Sequence, residues 1–114
     1  LNNYLFFMPS LKEITDETFK TFLKDDNKIR VIKLGAEFCG PCKASREPVA
    51  IVAAKLKDQY EIVELDIEKS LNTAGLLNCR AVPLFVKFQG KKEISRKPGW
   101  SNMQTFEAWV KETH

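Results

Sequence analysis

The chain has 114 residues, 44% of them hydrophobic, and a formal net charge of +3, which predicts one globular domain with one modest core. Its three cysteines are too few for a fold held together by disulfides, and no apolar run reaches the length of a membrane span. Because the basic residues are scattered along the chain, they indicate a solvated surface and not a nucleic-acid-binding patch.

The first ten residues are expected to form an N-terminal extension, followed by a single domain over residues 11–114. The apolar stretch from Tyr4 to Met8 is too short for the core of a signal peptide, and no basic residue precedes it. A cytoplasmic protein is therefore expected. Met8 as the natural start of the protein is an alternative that the sequence leaves open.

The first half of the chain predicts two strands that alternate with two helices. Residues 11–14 alternate like a short strand, and a Thr-Asp pair then caps a helix that ends near residue 25. Residues 29–36 form an apolar run that suits a strand in the middle of a sheet. The second helix is expected over residues 41–58.

The second half predicts three more strands and two more helices, and serines are expected to cap both helices. The segments are a strand over 60–66, a helix from Ser70 to Leu77, strands over 81–88 and 92–96, and a last helix capped by Ser101. Parallel β-α-β units followed by a hairpin and a covering helix give a three-layer α/β/α domain. Its central mixed sheet should contain about five strands, with four helices around it.

The most informative stretch is Cys39-Gly40-Pro41-Cys42, between the second strand and the second helix. Amide groups at a helix start carry partial positive charge, so a thiol there ionises more easily and becomes a nucleophile. Pro41 suits the first helical turn, where its missing N–H costs no hydrogen bond. Cys39 is predicted to attack a substrate disulfide, and Cys42 to resolve the mixed disulfide that forms.

The spacing of the cysteine pair allows two other interpretations. A C-x-x-C pair is half of many zinc sites, but only Cys79 and the terminal His114 remain as further ligands, so no metal is expected. An inert structural pair is disfavoured because the motif lies between a strand and a helix. C-x-x-C beside a β-α-β pattern is typical of a thioredoxin-like redox motif.

The sequence resembles the thioredoxin family from residue 11 to residue 113. Ala36-Glu37-Phe38-Cys39-Gly40-Pro41-Cys42-Lys43 is similar to the family's active-site signature. The other matching features are the start of the first helix at residues 14–19, the loop Arg80-Ala81-Val82-Pro83, and the late glycines Gly90 and Gly99.

The resemblance implies a thioredoxin fold that reduces protein disulfides. It implies no cofactor beyond the redox-active Cys39–Cys42 disulfide, and electrons from a separate thioredoxin reductase or an equivalent donor. A monomer without nucleic-acid or membrane partners is expected. Pro83 would be cis and face the sulfurs, and Val82 would offer its backbone to an extended substrate segment. A trans Pro83 at a strand start is the alternative from the sequence alone.

Two departures from the family pattern affect the apolar rim of the site. Phe38 stands where the family usually has Trp, and Gly35 where it usually has an aromatic residue. Trp100, directly after Gly99 in a loop that the family places beside the cysteines, is predicted to supply the missing aromatic surface. Core packing of Trp100 on the last helix is the alternative.

A third departure is an exchange of charges. Most family members bury an Asp in the second strand and a Lys in the third, whereas this chain has Lys33 and Glu64 at those positions. A lone buried charge is costly, so the two are expected to pair; two solvated charges are the alternative. A cation behind the sulfurs favours thiolate, which predicts a less reducing, or more slowly resolving, protein than an ordinary thioredoxin.

Two other functions remain open from the sequence. A disulfide oxidase or isomerase is disfavoured by the Gly-Pro turn, which holds no cation or histidine, and is mildly favoured by Lys33. The other alternative is a non-catalytic adaptor that uses the fold as a binding module. Cys79 is predicted to be a partly buried thiol at a helix end, with a regulatory or interchain disulfide as its alternative.

Overall fold

The computed structural model describes residues 9–114. The apolar stretch from Tyr4 to Met8, and with it the alternative start at Met8, lies outside the described residues. Of the predicted extension, Pro9 and Ser10 are described and belong to no helix or strand.

Helices and strands alternate along the described chain until a final hairpin and helix. They are β1 (Lys12–Ile14), α1 (Asp16–Phe22), β2 (Ile29–Gly35), α2 (Gly40–Lys55), β3 (Tyr60–Asp66), α3 (Leu71–Leu76), β4 (Leu84–Gln89), β5 (Lys92–Pro98) and α4 (Met103–Lys111).

The five strands form one mixed sheet in the order β1-β3-β2-β4-β5. Strands β1, β3 and β2 are parallel, and β4 pairs antiparallel with β2 on one side and with β5 on the other. Helices α1 and α3 contribute Phe22 and Ala74 to the core on one face, while α2 and α4 contribute Val52 and Phe106 to the core on the other. The predicted three-layer α/β/α architecture is confirmed.

Several predicted boundaries were wrong by a few residues. Strand β4 begins at Leu84 instead of residue 81, because Pro83 has no N–H to donate to a neighbouring strand. Helix α2 ends at Lys55, three residues before its predicted end. The cap of α4 is Asn102 and not the predicted Ser101, and its Oδ1 accepts from the N–H of Thr105 at 2.8 Å. Serine and asparagine cap helices equally well, so the sequence alone did not show which of the two neighbours is the cap.

Helices α1 and α3 cap each other. Ser70 is the N-cap residue of α3, as predicted, but its side chain makes no capping bond to that helix. Instead, the Asp16 carboxylate accepts from the backbone N–H groups of Asn72 at 3.2 Å and Thr73 at 2.8 Å. The Ser70 hydroxyl in turn accepts from the N–H of Asp16 at 3.2 Å. The bond from Thr73 is the main reason why the pKa of Asp16 is lowered.

The buried side chain of Arg30 stabilises the start of β2 through hydrogen bonds to two carboxylates. The Arg30 guanidinium donates to both carboxylate oxygens of Asp26 at 2.9 Å, and its Nε donates to Glu61 on β3 at 3.2 Å. Two parallel N–H···O bonds are the strong geometry of an Arg–carboxylate pair. The hydrogen bonds from Arg30 lower the pKa of Asp26 to about 2.

This pair predicts a defined loss of stability in acid. Because the pKa of Asp26 is lower in the folded chain than the ordinary value of 3.8, its contribution is complete above that value and is lost as pH falls through about 2. Urea denaturation of the wild type and Asp26→Asn should therefore show a difference in unfolding free energy that is constant above about pH 5 and shrinks below it. A difference that stays constant down to pH 2 would contradict this assignment.

Candidate active site

The two motif cysteines lie at the N-terminus of α2, directly after the central strand. Cys39 is the N-cap residue of the helix, and Cys39 and Cys42 form a disulfide with their Cα atoms 5.2 Å apart. The backbone N–H of Cys42 donates to Cys39 Sγ at 3.2 Å. Gly40 and Pro41 form the exposed turn between them, with Pro41 in the first helical turn. The helix amides therefore face the outer sulfur, as the sequence predicted.

The two sulfurs differ in accessibility. Cys39 is 8% exposed and Cys42 is 2% exposed, and both pack against Ala36, with Ile67 and Val82 beside them. A substrate sulfur reaches Cys39 more easily, and a helix N-terminus stabilises the thiolate there. The geometry thus gives Cys39 the attacking role and Cys42 the resolving role.

A second loop meets the disulfide from the side of β4. The Val82–Pro83 peptide bond is cis, as the family resemblance implies, and the Val82 carbonyl oxygen lies 3.7 Å from Cys39 Sγ. The carbonyl of Pro83 accepts from the N–H of Gly99 at 2.8 Å. Gly99 has a φ of +80°, a conformation that favours glycine, so it supports the loop that carries Val82.

The two aromatic candidates of the rim have different environments. Phe38 is 72% exposed beside Cys39 and is available to an apolar substrate side chain. Trp100 is half-buried, with its ring centroid 6.2 Å from that of Phe85 and 6.1 Å from that of Phe106. The structure therefore favours core packing for Trp100, and its role in substrate binding stays a prediction.

Lys33 and Glu64 are neighbours in register on β2 and β3. Lys33 is 3% exposed, and its ammonium donates to the carbonyl oxygen of Cys42 at 3.0 Å. The described residues show no Lys33–Glu64 ion pair within 4.0 Å, so the predicted direct pair was wrong: the backbone carbonyl competes successfully for the ammonium. Burial lowers the pKa of Lys33, which the Glu64 charge opposes, and burial raises the pKa of Glu64.

A polar cavity of about 80 Å³ lies behind Cys42, lined in part by Lys33, Gly35, Arg46 and Glu64. A Cβ on Gly35 would lie 3.4 Å from Cys42 Sγ and 3.9 Å from Lys33 Cε. Gly35 was predicted to thin the outer rim, but the structure places it against the inner sulfur. The missing side chain therefore opens the site at the back.

Sequence reasoning missed two residues around Cys42. Ser45 is fully buried, and its hydroxyl donates to the Cys42 carbonyl at 2.8 Å, the same oxygen that Lys33 contacts. A serine three residues after the motif on a helix is the local signal for such a bond. Arg46 lines the cavity and has no comparable signal in the sequence.

The third cysteine stands apart from the disulfide. Cys79 is a free, half-buried thiol whose Sγ lies 3.5 Å from the carbonyl oxygen of Ala81. Burial raises the pKa of Cys79, which makes its thiolate scarce. Over residues 9–114, no group of three or more His, Cys, Asp or Glu residues is placed to hold a metal ion, and no helix is both long and apolar enough to cross a membrane.

The sequence is similar to those of known thioredoxins. The family model named Thioredoxin matches residues 10–112. A thioredoxin of Buchnera aphidicola is 27% identical over 92 residues, covering 81% of this chain and 85% of that protein. The chloroplastic thioredoxin M-type of Chlamydomonas reinhardtii is 28% identical over 101 residues, covering 85% of this chain and 72% of that protein.

A solved structure of chloroplastic thioredoxin z superimposes with a TM-score of 0.77 at 17% identity and covers 89% of this chain and 91% of its own. This likeness shows the shared fold. The match over residues 10–112, joined to a disulfide at the start of α2, shows that the chain belongs to the thioredoxin family of dithiol–disulfide oxidoreductases.

Proposed function

We propose that this chain works as a reductase of protein disulfides, with Cys39 as the nucleophile. The observation that carries the proposal is the N–H of Cys42 aimed at Cys39 Sγ at 3.2 Å, because this donor stabilises a thiolate on the more exposed sulfur. The Cys39 thiolate attacks one substrate sulfur, and the other leaves as a thiolate. Cys42 then attacks Cys39 Sγ, which releases the second substrate sulfur and leaves the Cys39–Cys42 disulfide.

The substrate segment binds in an extended form beside the cysteines. Val82 supports this placement because its carbonyl oxygen lies 3.7 Å from Cys39 Sγ, so a strand that pairs with Val82 brings its own sulfur to Cys39. Pro83 and Gly99 fix the loop through their 2.8 Å backbone bond. Phe38, which is exposed, contacts an apolar side chain next to the substrate cysteine.

Each turnover consumes two electrons, which the oxidised protein regains from a separate thioredoxin reductase or an equivalent donor. No bound cofactor takes part, because the reduced Cys39–Cys42 dithiol itself carries the electron pair. A monomer suits this role, since one sulfur pair must meet both donor and substrate in turn. The cytoplasm is the proposed location because a reductase requires a compartment that keeps thiols reduced.

Lys33 and Glu64 adjust the proton chemistry of the cysteine pair. The Lys33 ammonium is buried against Cys42, where a cation stabilises the reduced, thiolate form. Stabilising the reduced form raises the reduction potential. The chain is therefore a somewhat less reducing member of its family.

The reduction potential of the Cys39–Cys42 couple, measured by equilibration with glutathione buffers, tests both parts of this proposal. The wild type should lie below about −200 mV, and Lys33→Met should be more reducing by about 30 mV, a tenfold change in the exchange constant. Lys57→Met removes the same charge from an exposed position and should leave the potential unchanged.

Two results would contradict different parts of the proposal. A wild-type potential near about −120 mV, typical of a strong disulfide oxidant, would overturn the reductase direction. A potential that does not move in Lys33→Met would overturn the role of the cation and leave the reductase direction intact.

A further inference from the structure

We propose that Lys33 holds Cys42 as a thiolate while the substrate is attached to Cys39, so that the resolving step needs no proton acceptor. This inference rests on the proposed function, because it concerns the mixed disulfide that forms during that reaction. In this role Lys33 is a positioning residue that stabilises the negative charge on the inner sulfur, Cys42 Sγ.

The space over Gly35 is bordered by both the Lys33 side chain and the inner sulfur. Lys33 Nζ donates to the Cys42 carbonyl at 3.0 Å, which uses one of its three N–H groups. Cys42 Sγ and Lys33 Cε lie 3.4 Å and 3.9 Å from the point where a Cβ of residue 35 would be. Because this residue is glycine, no side chain separates them. Once the bond to Cys39 opens, Cys42 Sγ is free to accept one of the remaining N–H groups.

The other charged groups in the cavity are less buried than Lys33. They are Glu13 on β1, Glu37 before α2, Arg46 on α2, Glu64 and Asp66 on β3, and Lys69 after β3. Glu64 and Asp66 are half-buried and the other four are exposed. Water screens exposed charges, whereas charges in a buried environment interact strongly. Lys33 is therefore the most buried charged group beside Cys42.

The resolving step balances without any transfer of a proton from Cys42. The Cys42 thiolate attacks Cys39 Sγ, the bond between Cys39 and the substrate breaks, and the substrate sulfur leaves as a thiolate that takes a proton from water. Lys33 keeps its proton throughout. The competing route starts from the neutral Cys42 thiol, and Glu64 in the same cavity accepts its proton. The two routes differ in the charge of Cys42 before the attack.

The first test isolates Cys42 as the sole thiol by combining Cys39→Ser with Cys79→Ser, since the chain has three cysteines. Ultraviolet absorbance of the thiolate then gives the pH at which half of Cys42 is ionised. This midpoint should lie at least about one pH unit below the ordinary thiol value of about 8.5. Lys33→Met should raise it by at least about one unit, a tenfold loss of thiolate at neutral pH.

Matched variants separate the cation from a change in packing. Lys33→Arg keeps a cation and should keep the midpoint low, while Glu64→Gln should not raise it. A midpoint that stays where it is in Lys33→Met would overturn the proposal. This measurement involves no substrate. A low midpoint in the protein with Cys42 as its sole thiol, together with no disulfide reductase activity in the wild type, would refute the proposed function and leave the ionisation of Cys42 established.

The second test is the rate of resolution against pH, measured by stopped flow on a peptide disulfide with the full chain. The wild-type rate should be nearly constant between about pH 6 and pH 8, whereas the Lys33→Met rate should rise about tenfold per pH unit towards the thiol midpoint. A rate that collapses in Glu64→Gln and not in Lys33→Met would show that Glu64 accepts the proton, and would overturn the proposal.

Discussion

Replacement of Cys42 by serine is expected to reduce turnover at least about 1000-fold and to trap the substrate on Cys39. Cys39 keeps its place as the cap of α2, so it still attacks a substrate disulfide. No sulfur is then available to break the mixed disulfide. A protein-disulfide reduction assay measures the loss of turnover, and mass spectrometry of the intact protein detects the covalent adduct.

Two further variants test whether the covalent adduct forms on Cys39 and whether Cys79 takes part. Cys39→Ser should be equally inactive but form no adduct, and Cys79→Ser, which removes the free thiol, should keep the wild-type rate. Turnover that survives in Cys42→Ser would contradict the two-cysteine mechanism. A double variant of Cys39 and Cys42 that keeps full biological function would favour the adaptor alternative over the reductase.

The second large effect is expected at Lys87 in the middle of β4. This lysine is completely buried, and its ammonium donates to the carbonyl oxygens of Trp109 at 2.6 Å, Val110 at 3.3 Å and Glu112 at 2.9 Å. The last carbonyls of a helix have no partner within the helix, and a cation there also interacts favourably with the helix dipole. Lys87 thus caps the C-terminus of α4 from inside the sheet.

Lys87→Ala should lower the free energy of unfolding by about 3–5 kcal/mol, because it leaves a cavity and removes a buried hydrogen-bond donor to three carbonyls. Lys87→Met keeps most of the side-chain volume and should cost about 1–3 kcal/mol, which isolates the hydrogen bonds. Urea denaturation at neutral pH measures both losses.

Lys92→Ala provides the control for the removal of a lysine charge. Lys92 is exposed at the start of β5, and its replacement should change the unfolding free energy by less than about 0.5 kcal/mol. If Lys87→Met is as stable as the wild type, the ammonium contributes nothing net, and only the packing of the Lys87 side chain stabilises α4.

The fold and the cysteine pair were predictable because their signals are local. An apolar run identified β2, helical spacing identified α4, and the Cys39–Cys42 spacing located the disulfide at a helix start. These features depend on neighbours in sequence, which a single chain displays directly. The cis Val82–Pro83 bond came from the family resemblance, since proline alone favours trans.

The contacts that were not predictable involve backbone groups or distant residues. The sequence placed Lys33 beside Glu64 correctly, but it did not show that the Cys42 carbonyl competes for the ammonium at 3.0 Å. The partners of Lys87 are three carbonyls, which every residue type possesses and which therefore leave no signature. The cavity behind Cys42 depends on a side chain that Gly35 lacks.

The contact between Asp16 and the start of α3 matters both for the order of synthesis and for truncated forms of the chain. Asp16 leaves the ribosome long before Thr73, whose N–H donates to it from 57 positions away, so the residue that caps α3 is already present when α3 emerges. The loop that presents Val82 to the disulfide follows α3 directly. A chain that begins after Asp16 loses the carboxylate cap of α3, the helix that leads into the loop of Val82.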